Sequence, residues 1–334
     1  MKKAIAIILI LILSALTPAA LSADVNLKRT VETYEATVAD IQPESLERFI
    51  FFTDPHVICY PVKTWSYFHA AMRKVQSVQE QLGISTVISG GDWIGSYDTN
   101  EEAIKKLSTM TKRCQGIFGA ENFVPLMGNH DTNQQGSESA EERVGRTTVL
   151  SVEEYTQAMF AVQGSAYYIH EGENTRFYAM DTGVYLQGMN ADNMKKYRWG
   201  QISWLADSLI QDDAPHSAIA LHIFYESKAG EKIGEFATHI FELCQAYNNR
   251  ETISKNGQIY DFTGCTGHVE FAIAGHIHVD YTEVYCGIPV IVTRTMLTHS
   301  ETAFDVFAVD YDQRVIHIVR YGAGNDREVP LVTW

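Results

Sequence analysis

Five short stretches of this sequence gather residue types that bind metal ions: Asp54-Pro55-His56, Gly91-Asp92, Gly128-Asn129-His130-Asp131, His222, and Gly275-His276-Ile277-His278. Asp54, His56, Asp92, Asn129, His222, His276 and His278 offer carboxylate, amide and imidazole donors, a mixture that suits Mn, Fe, Zn or Ni better than a dedicated Ca site. No cysteine belongs to the set, which argues against structural zinc. The glycines before Asp92, Asn129 and His276 let the backbone turn sharply and approach an ion closely. So many donors exceed one tetrahedral site, and a central carboxylate can bridge two ions about 3.5–4 Å apart. Such a pair clamps a phosphate and acidifies a bridging water into a hydroxide nucleophile. The leaving alkoxide then needs a proton. His130, one residue past Asn129 and aimed differently, suits a general acid. Asp131 either orients His130 or caps the following turn.

Residues so far apart in the chain must be delivered by a repeated element. Each stretch follows an apolar run of strand length: Arg48–Thr53, Thr86–Ser89, Phe123–Met127, Ser217–Leu221 and Phe271–Ala274. Between the first three, Trp65, Phe68, Met72, Val75, Val78 and Leu82 recur at helical spacing and stop at Gly83, and Ile104, Leu107 and Met110 mark a second helix opening at Asn100. Strand, polar turn, helix, strand is the right-handed βαβ pattern of a sheet covered by helices. In such a sheet, loops leaving the carboxyl ends of the strands converge on one crevice. Farther along, Ser151 and Glu154 form a capping box, strands are expected at 166–170 and 176–180, and a helix at 199–210. After residue 269 strands follow one another at 282–285, 290–292, 304–309 and 315–319. Polar loops 57–64, 93–100, 132–150 and 182–198 are expected around the mouth of the crevice, and Arg320–Arg327 either as a turn-rich exposed tail, its default reading, or as a charged loop returned to the site.

In this order, Asp-x-His, Gly-Asp, Gly-Asn-His-Asp, a lone His and Gly-His-x-His closely resemble the calcineurin-like metallophosphoesterase superfamily over roughly residues 48 to 280. Gln201-x-x-Trp204-Leu205 is similar to a helix of its phosphodiesterase-like members. The resemblance implies a four-layer α-β-β-α sandwich of two mixed sheets flanked by helices, an α/β (α+β) fold. It implies that Asp54, His56 and His278 bind one divalent ion, that Asn129, His222 and His276 bind the other, and that Asp92 bridges. His130 then protonates the leaving group. Three branches are disfavoured: Asp92-Trp-Ile-Gly95 lacks the Asp-Arg-Gly of protein phosphatases, Gly95 stands where purple acid phosphatases carry a metal-binding tyrosine, and no separate substrate domain like that of the nucleotidases fits.

The 334 residues, 46% hydrophobic and 20% charged, are long and apolar enough for a core. The net charge of −15 disfavours a nucleic-acid partner, and with it a nuclease. Lys2 and Lys3, an apolar run from Ala4 to Leu13, Pro18 and small residues to Ala23 have the pattern of a bacterial-type signal peptide. That run is short for a membrane span, which needs about 20 residues. The expected organisation is therefore a signal peptide over 1–23, cleaved after Ser22 or Ala23, a lead-in segment over 24–46, and one phosphoesterase domain over 47–334. The product would be secreted or periplasmic without a stable membrane anchor. Cys59, Cys114, Cys244, Cys265 and Cys286 allow one or two bridges or simply buried thiols. His69, His170, His216, His239, His268, His299 and His317 read as structural, while Tyr60, Trp93, Tyr97, Tyr225 and Tyr285 are candidates for lining the pocket. The expected function is hydrolysis of a small phosphomonoester or phosphodiester by two divalent ions. The rival is a metal-binding scaffold without turnover.

Overall fold

The computed structural model describes residues 18–57, 63–95, 98–133, 149–183, 191–227, 232–298 and 301–333. Two mixed sheets stack face to face. The first has the order β15(Arg327–Pro330), β14(Val315–Gly322), β13(Glu301–Asp310), β1(Leu46–Phe52), β2(Thr86–Ser89), β3(Phe123–Pro125), with β12(Leu297–Thr298) paired to β13. The second runs β10(Tyr281–Tyr285), β11(Ile288–Val292), β9(His268–Ala274), β6(His216–Ala220), β5(Arg176–Ala179), β4(Tyr168–Glu171). β1, β2 and β3 are parallel, as are β5, β6, β9 and β11. Their carboxyl ends are the places from which the metal-ligand types emerge.

Central strands of such a sandwich are buried on both faces and therefore read as continuous apolar runs. In β1, Phe49 stacks on Phe307 within its own sheet at 4.5 Å and meets Phe177 and Phe271 of the other sheet at 5.2 and 6.1 Å. The helices cover the outer faces. α2(Lys63–Leu82) and α3(Asn100–Phe118) contribute Phe68, Met72, Leu107 and Met110 to the core of the first sheet. α5(Ala191–Gln211) and α6(Glu235–Asn249) close the second with Ile202, Leu205, Ile240 and Phe241. Helix starts follow their local chemistry. Thr99 caps α3 with Glu102 reciprocating, and Ser151 does the same with Glu154 for α4(Val152–Met159).

Several expectations are corrected. Much of the segment read as a lead-in is a helix, α1(Pro18–Val38), packed on β14. Leu27, Val31, Tyr34 and Val38 recur at helical spacing along its inner face, and the Tyr34 hydroxyl donates to the Phe307 carbonyl at 3.0 Å. Burying a side chain such as Val31 stabilises the fold by roughly 1.5–3 kcal/mol, enough to fix a helix whose remaining faces are polar. The 182–198 loop becomes helix from Ala191 onward, while 184–190 lies outside the described residues, as do 58–62, 96–97 and 134–148 of the other loops. α6 and the hairpin β7(Thr252–Lys255)–β8(Gln258–Asp261) have no counterpart in the sequence reading.

The Arg320–Arg327 segment turns in the open at 324–326, but its ends are built into the sheet. It carries the end of β14 and the start of β15, and the Arg320 side chain is fully buried between Asp305, at 2.8 Å, and Asp280, at 2.5 Å. Trp93 and Tyr225 are also buried in aromatic packing, Trp93 against Phe52, Phe68 and Phe123 and Tyr225 against Phe224 and Tyr281. Tyr285 packs against Phe224 and Phe241. Tyr60, Tyr97, His299 and Cys59 lie outside the described residues, and Cys114, Cys244, Cys265 and Cys286 are free thiols. Among the described residues no helix is long and apolar enough to cross a membrane.

Candidate metal centre

The first ligand loop leaves β1 at Asp54 and the second leaves β2 at Asp92. Backbone bonds zip them together: Asp54 N donates to Gly91 O at 3.0 Å and His56 N to Asp92 O at 3.0 Å. The third loop closes on them at Gly128. A Cβ placed there would stand 2.0 Å from the Asp92 nitrogen, so only glycine permits the approach. The His222 loop follows β6, and the Gly275–His278 loop follows β9.

The seven donors meet in two adjoining groups. Asp54, His56, Asp92 and His278 form one, and Asp92, His222 and His276 the other, with Asp92 common to both. Asp92 Oδ1 accepts the His130 backbone N–H at 2.8 Å, while Oδ2 lies 3.2 Å from His222 Nε2 and 3.7 Å from His56 Nε2. His278 Nε2 is 2.9 Å from His56 Nε2 and 3.2 Å from Asp54 Oδ1. Asn129 Oδ1 sits 3.1 Å from His222 Nε2 and so joins the second group. The structure therefore brings the sequence-predicted ligands together in two adjoining groups that share Asp92.

The donor set fits divalent cations on independent grounds. Asp54 Oδ2 is engaged by Thr53 Oγ1 at 2.6 Å and His276 N at 3.0 Å, leaving the buried Oδ1 to face the imidazole of His278, another of the candidate donors. His276 Nδ1 is buried and unpartnered. His222 Nδ1 lies 2.7 Å from the Gly90 carbonyl, and donating to it leaves the Nε2 lone pair for an ion. Burial alone would push Asp54 up, yet the close His278 imidazole and the charges of His222 and His56 hold it below the ordinary carboxyl range. Asp92, also against its burial, is held well below that range, chiefly by His222. Burial would pull the His222 imidazole down, but Asp92 pushes it up to about 9. His276 is pulled down to about 4 by burial and by His222, which keeps it a neutral donor.

Backbone conformation marks the same residues. Asp54, His56, Asp92, His276 and His278 all have left-handed φ, at 53°, 40°, 54°, 74° and 59°. Each such non-glycine residue costs of order 1 kcal/mol or more and persists only where its surroundings over-determine it. The supports are visible. Thr182 Oγ1 accepts from His222 N at 3.2 Å and Ile223 N at 2.8 Å. Thr295 Oγ1 donates to Asp54 O at 2.6 Å, and Met296 N donates to Thr53 O at 2.8 Å. Asp280, two residues past His278, accepts from Arg294 N at 3.0 Å and pairs with the buried Arg320. Thr182, Thr295 and Asp280 carry no signal in the sequence because their partners lie far away in the chain.

His130 has its Nε2 3.9 Å from Asp92 Oδ2 and its ring edge-on to His56 at 4.9 Å, and it is half-buried. Asp131 is turned elsewhere. Its carboxylate accepts from Trp93 N at 2.7 Å, Ile94 N at 3.2 Å and Gly128 N at 2.9 Å. It thereby ties the second and third ligand loops together, which is a positioning task. Burial and the neighbouring Asp92 push its carboxyl up to about 8. The other described histidines have structural surroundings, such as Glu270 for His216 and Thr86 for His170.

Two stacked mixed sheets with such a donor pair at their carboxyl edge define a metal-dependent hydrolase of phosphoric esters. The calcineurin-like phosphoesterase family matches residues 47–280, and the chain belongs to it. Among solved structures it is similar to a dimetal phosphatase from Danio rerio, with 12% identity, a TM-score of 0.54, and coverage of 85% of this chain and 98% of that one. It is also similar to GAP50, the anchor in the inner membrane complex of Plasmodium, with 12% identity, a TM-score of 0.49, and coverage of 87% and 90%.

Proposed function

We propose that this chain is an exported hydrolase of a small phosphomonoester or phosphodiester, working with two divalent ions. The observation that carries the reading is the Asp92 carboxylate shared between two donor groups. Asp54, His56 and His278 would hold one ion and Asn129, His222 and His276 the other, with Asp92 available to both. When bound, the ions supply Lewis acidity toward the phosphoryl oxygens and an activated water. The chain's own part is to hold the donors, keep them desolvated, and deliver a proton. His130, half-buried beside the donor pair, gives its proton to the leaving oxygen. Its backbone N–H, bound to Asp92, fixes where the ring starts.

General acid catalysis contributes about 10²–10⁴-fold. His130→Ala is therefore expected to retain both ions and to slow alkyl phosphoesters by about a hundredfold or more, while p-nitrophenyl esters, whose leaving group needs no proton, change little. If this variant lost its metal as completely as one at Asp92, the role would belong to a ligand instead.

Turnover of p-nitrophenyl phosphate and bis(p-nitrophenyl) phosphate with added Mn²⁺, alongside a metal count, tests the whole reading. Two ions per chain with no hydrolysis of either ester would make the protein a metal-binding scaffold. Export is supported by the N-terminal pattern of Lys2, Lys3, an apolar run and small residues up to Ala23. Mass spectrometry of the native protein should find a mature terminus near Asp24, and an intact Met1 would overturn export.

A further inference from the structure

Three arginines gather around Asp280, and two of them are already committed: Arg320 pairs with Asp305 and Asp280, and Arg327 pairs with Asp305 at 2.6 Å. Arg294 differs. Its side chain has no hydrogen-bond or ion-pair partner among the described residues, and its Nε is buried and unsatisfied. A half-buried arginine whose side chain has no partner among the described residues costs stability and is the expected condition of a group that waits for an anion.

Its position suits that role. In the second sheet β11 lies between β9 and β10, so the 275–280 loop that joins those two strands must pass across the end of β11. Thr293 N donates to Ala274 O at 3.0 Å, which sets Arg294 level with the start of that loop. The Arg294 backbone N–H holds Asp280 at 3.0 Å, and the next residue holds Asp54 at 2.6 Å. Arg294 is thus set between the supports of two ligand loops, its backbone bound to Asp280, two residues past His278.

We propose that Arg294 is a substrate-binding residue that receives a terminal phosphate oxygen and directs the site toward phosphomonoesters. The proposal rests on the phosphoesterase reading above and names its substrate class. A monoester carries three non-bridging oxygens and up to two negative charges, whereas a diester carries two and one. A guanidinium, planar and forked, distinguishes them by the extra oxygen and charge.

The test compares wild type, Arg294→Gln and Arg294→Lys, all loaded with Mn²⁺, on p-nitrophenyl phosphate and bis(p-nitrophenyl) phosphate. Metal content and orthophosphate affinity are measured by elemental analysis and calorimetry. For Arg294→Gln, kcat/KM on the monoester should fall about 10- to 100-fold, far more than on the diester. Orthophosphate should bind correspondingly more weakly, with metal content unchanged and partial recovery in Arg294→Lys. Equal losses on both esters, an unchanged monoester rate, or loss of metal would overturn the assignment. If Arg294→Gln is insoluble, a monoester-selective loss in Arg294→Lys decides in its place. Should wild type hydrolyse neither ester, the functional reading fails and calorimetry still judges Arg294: about tenfold or more weaker phosphate binding in Arg294→Gln sustains the site, and equal binding, or none by wild type, removes it.

Discussion

Asp92→Ala is expected to strip the protein of both metal ions and to lower turnover by about a thousandfold or more. The carboxylate is the one group common to the two donor clusters, with Oδ2 3.2 Å from His222 Nε2 and 3.7 Å from His56 Nε2. Removing it takes a negative ligand from each ion and leaves the remaining donors mostly neutral imidazoles. Lewis-acid stabilisation of a phosphoryl transition state is worth several kcal/mol, and each 1.4 kcal/mol or so is a decade in rate. The same change also deletes the acceptor of the His130 N–H, bound at 2.8 Å, so the third loop loses an anchor. Elemental analysis of the purified variant and p-nitrophenyl phosphate kinetics check the expectation. An Asp92→Ala protein that still binds two ions per chain would show that Asp92 does not bridge.

Gly128→Ala should be nearly as damaging by another route. The added methyl would lie 2.0 Å from Asp92 N, 2.2 Å from Asp92 Oδ1 and 2.7 Å from Asp92 Cα. Two of these are backbone atoms, which no side-chain rotation can clear, so the second and third loops must separate. Overpacking typically costs about 1–3 kcal/mol and more where the backbone must move. The expected protein melts several degrees lower and binds metal poorly although all seven donors are retained. A Gly128→Ala variant with wild-type melting temperature and metal content would show that the loops yield more readily than the close contact implies.

Much of this architecture was legible because local chemistry and tertiary demand agree. Apolar runs before Asp54, Asp92 and His222 are strands because both faces are buried, and the Ser151/Glu154 pair caps a helix wherever it occurs. The seven donors could be gathered from strand-end positions alone, since parallel strands deliver their loops to one edge. What escaped has two causes. The inner face of α1 was present in the sequence at Leu27, Val31, Tyr34 and Val38, but the polar residues between them dominated its composition. Arg320 and Asp131 escaped for a deeper reason: their meaning lies in partners across the fold. Arg320 is an ordinary charged residue until Asp305 and Asp280 are placed beside it, and Asp131 looks like a catalytic aid until its oxygens are seen holding the amides of Gly128, Trp93 and Ile94.

The left-handed backbone at Asp54, His56, Asp92, His276 and His278 sets catalysis and durability against each other. Glycine at any of these five positions would relax the chain locally, so variants selected only for heat resistance in the absence of metal are drawn toward changes that abolish the centre. Stability and activity then pull in opposite directions at single residues. Among the ligands, aspartate and asparagine tolerate this conformation best, which leaves the histidines as the positions where an exchange of ligand type meets the least backbone resistance. An engineered change of metal preference would therefore begin with His56, His276 or His278 replaced by aspartate or asparagine.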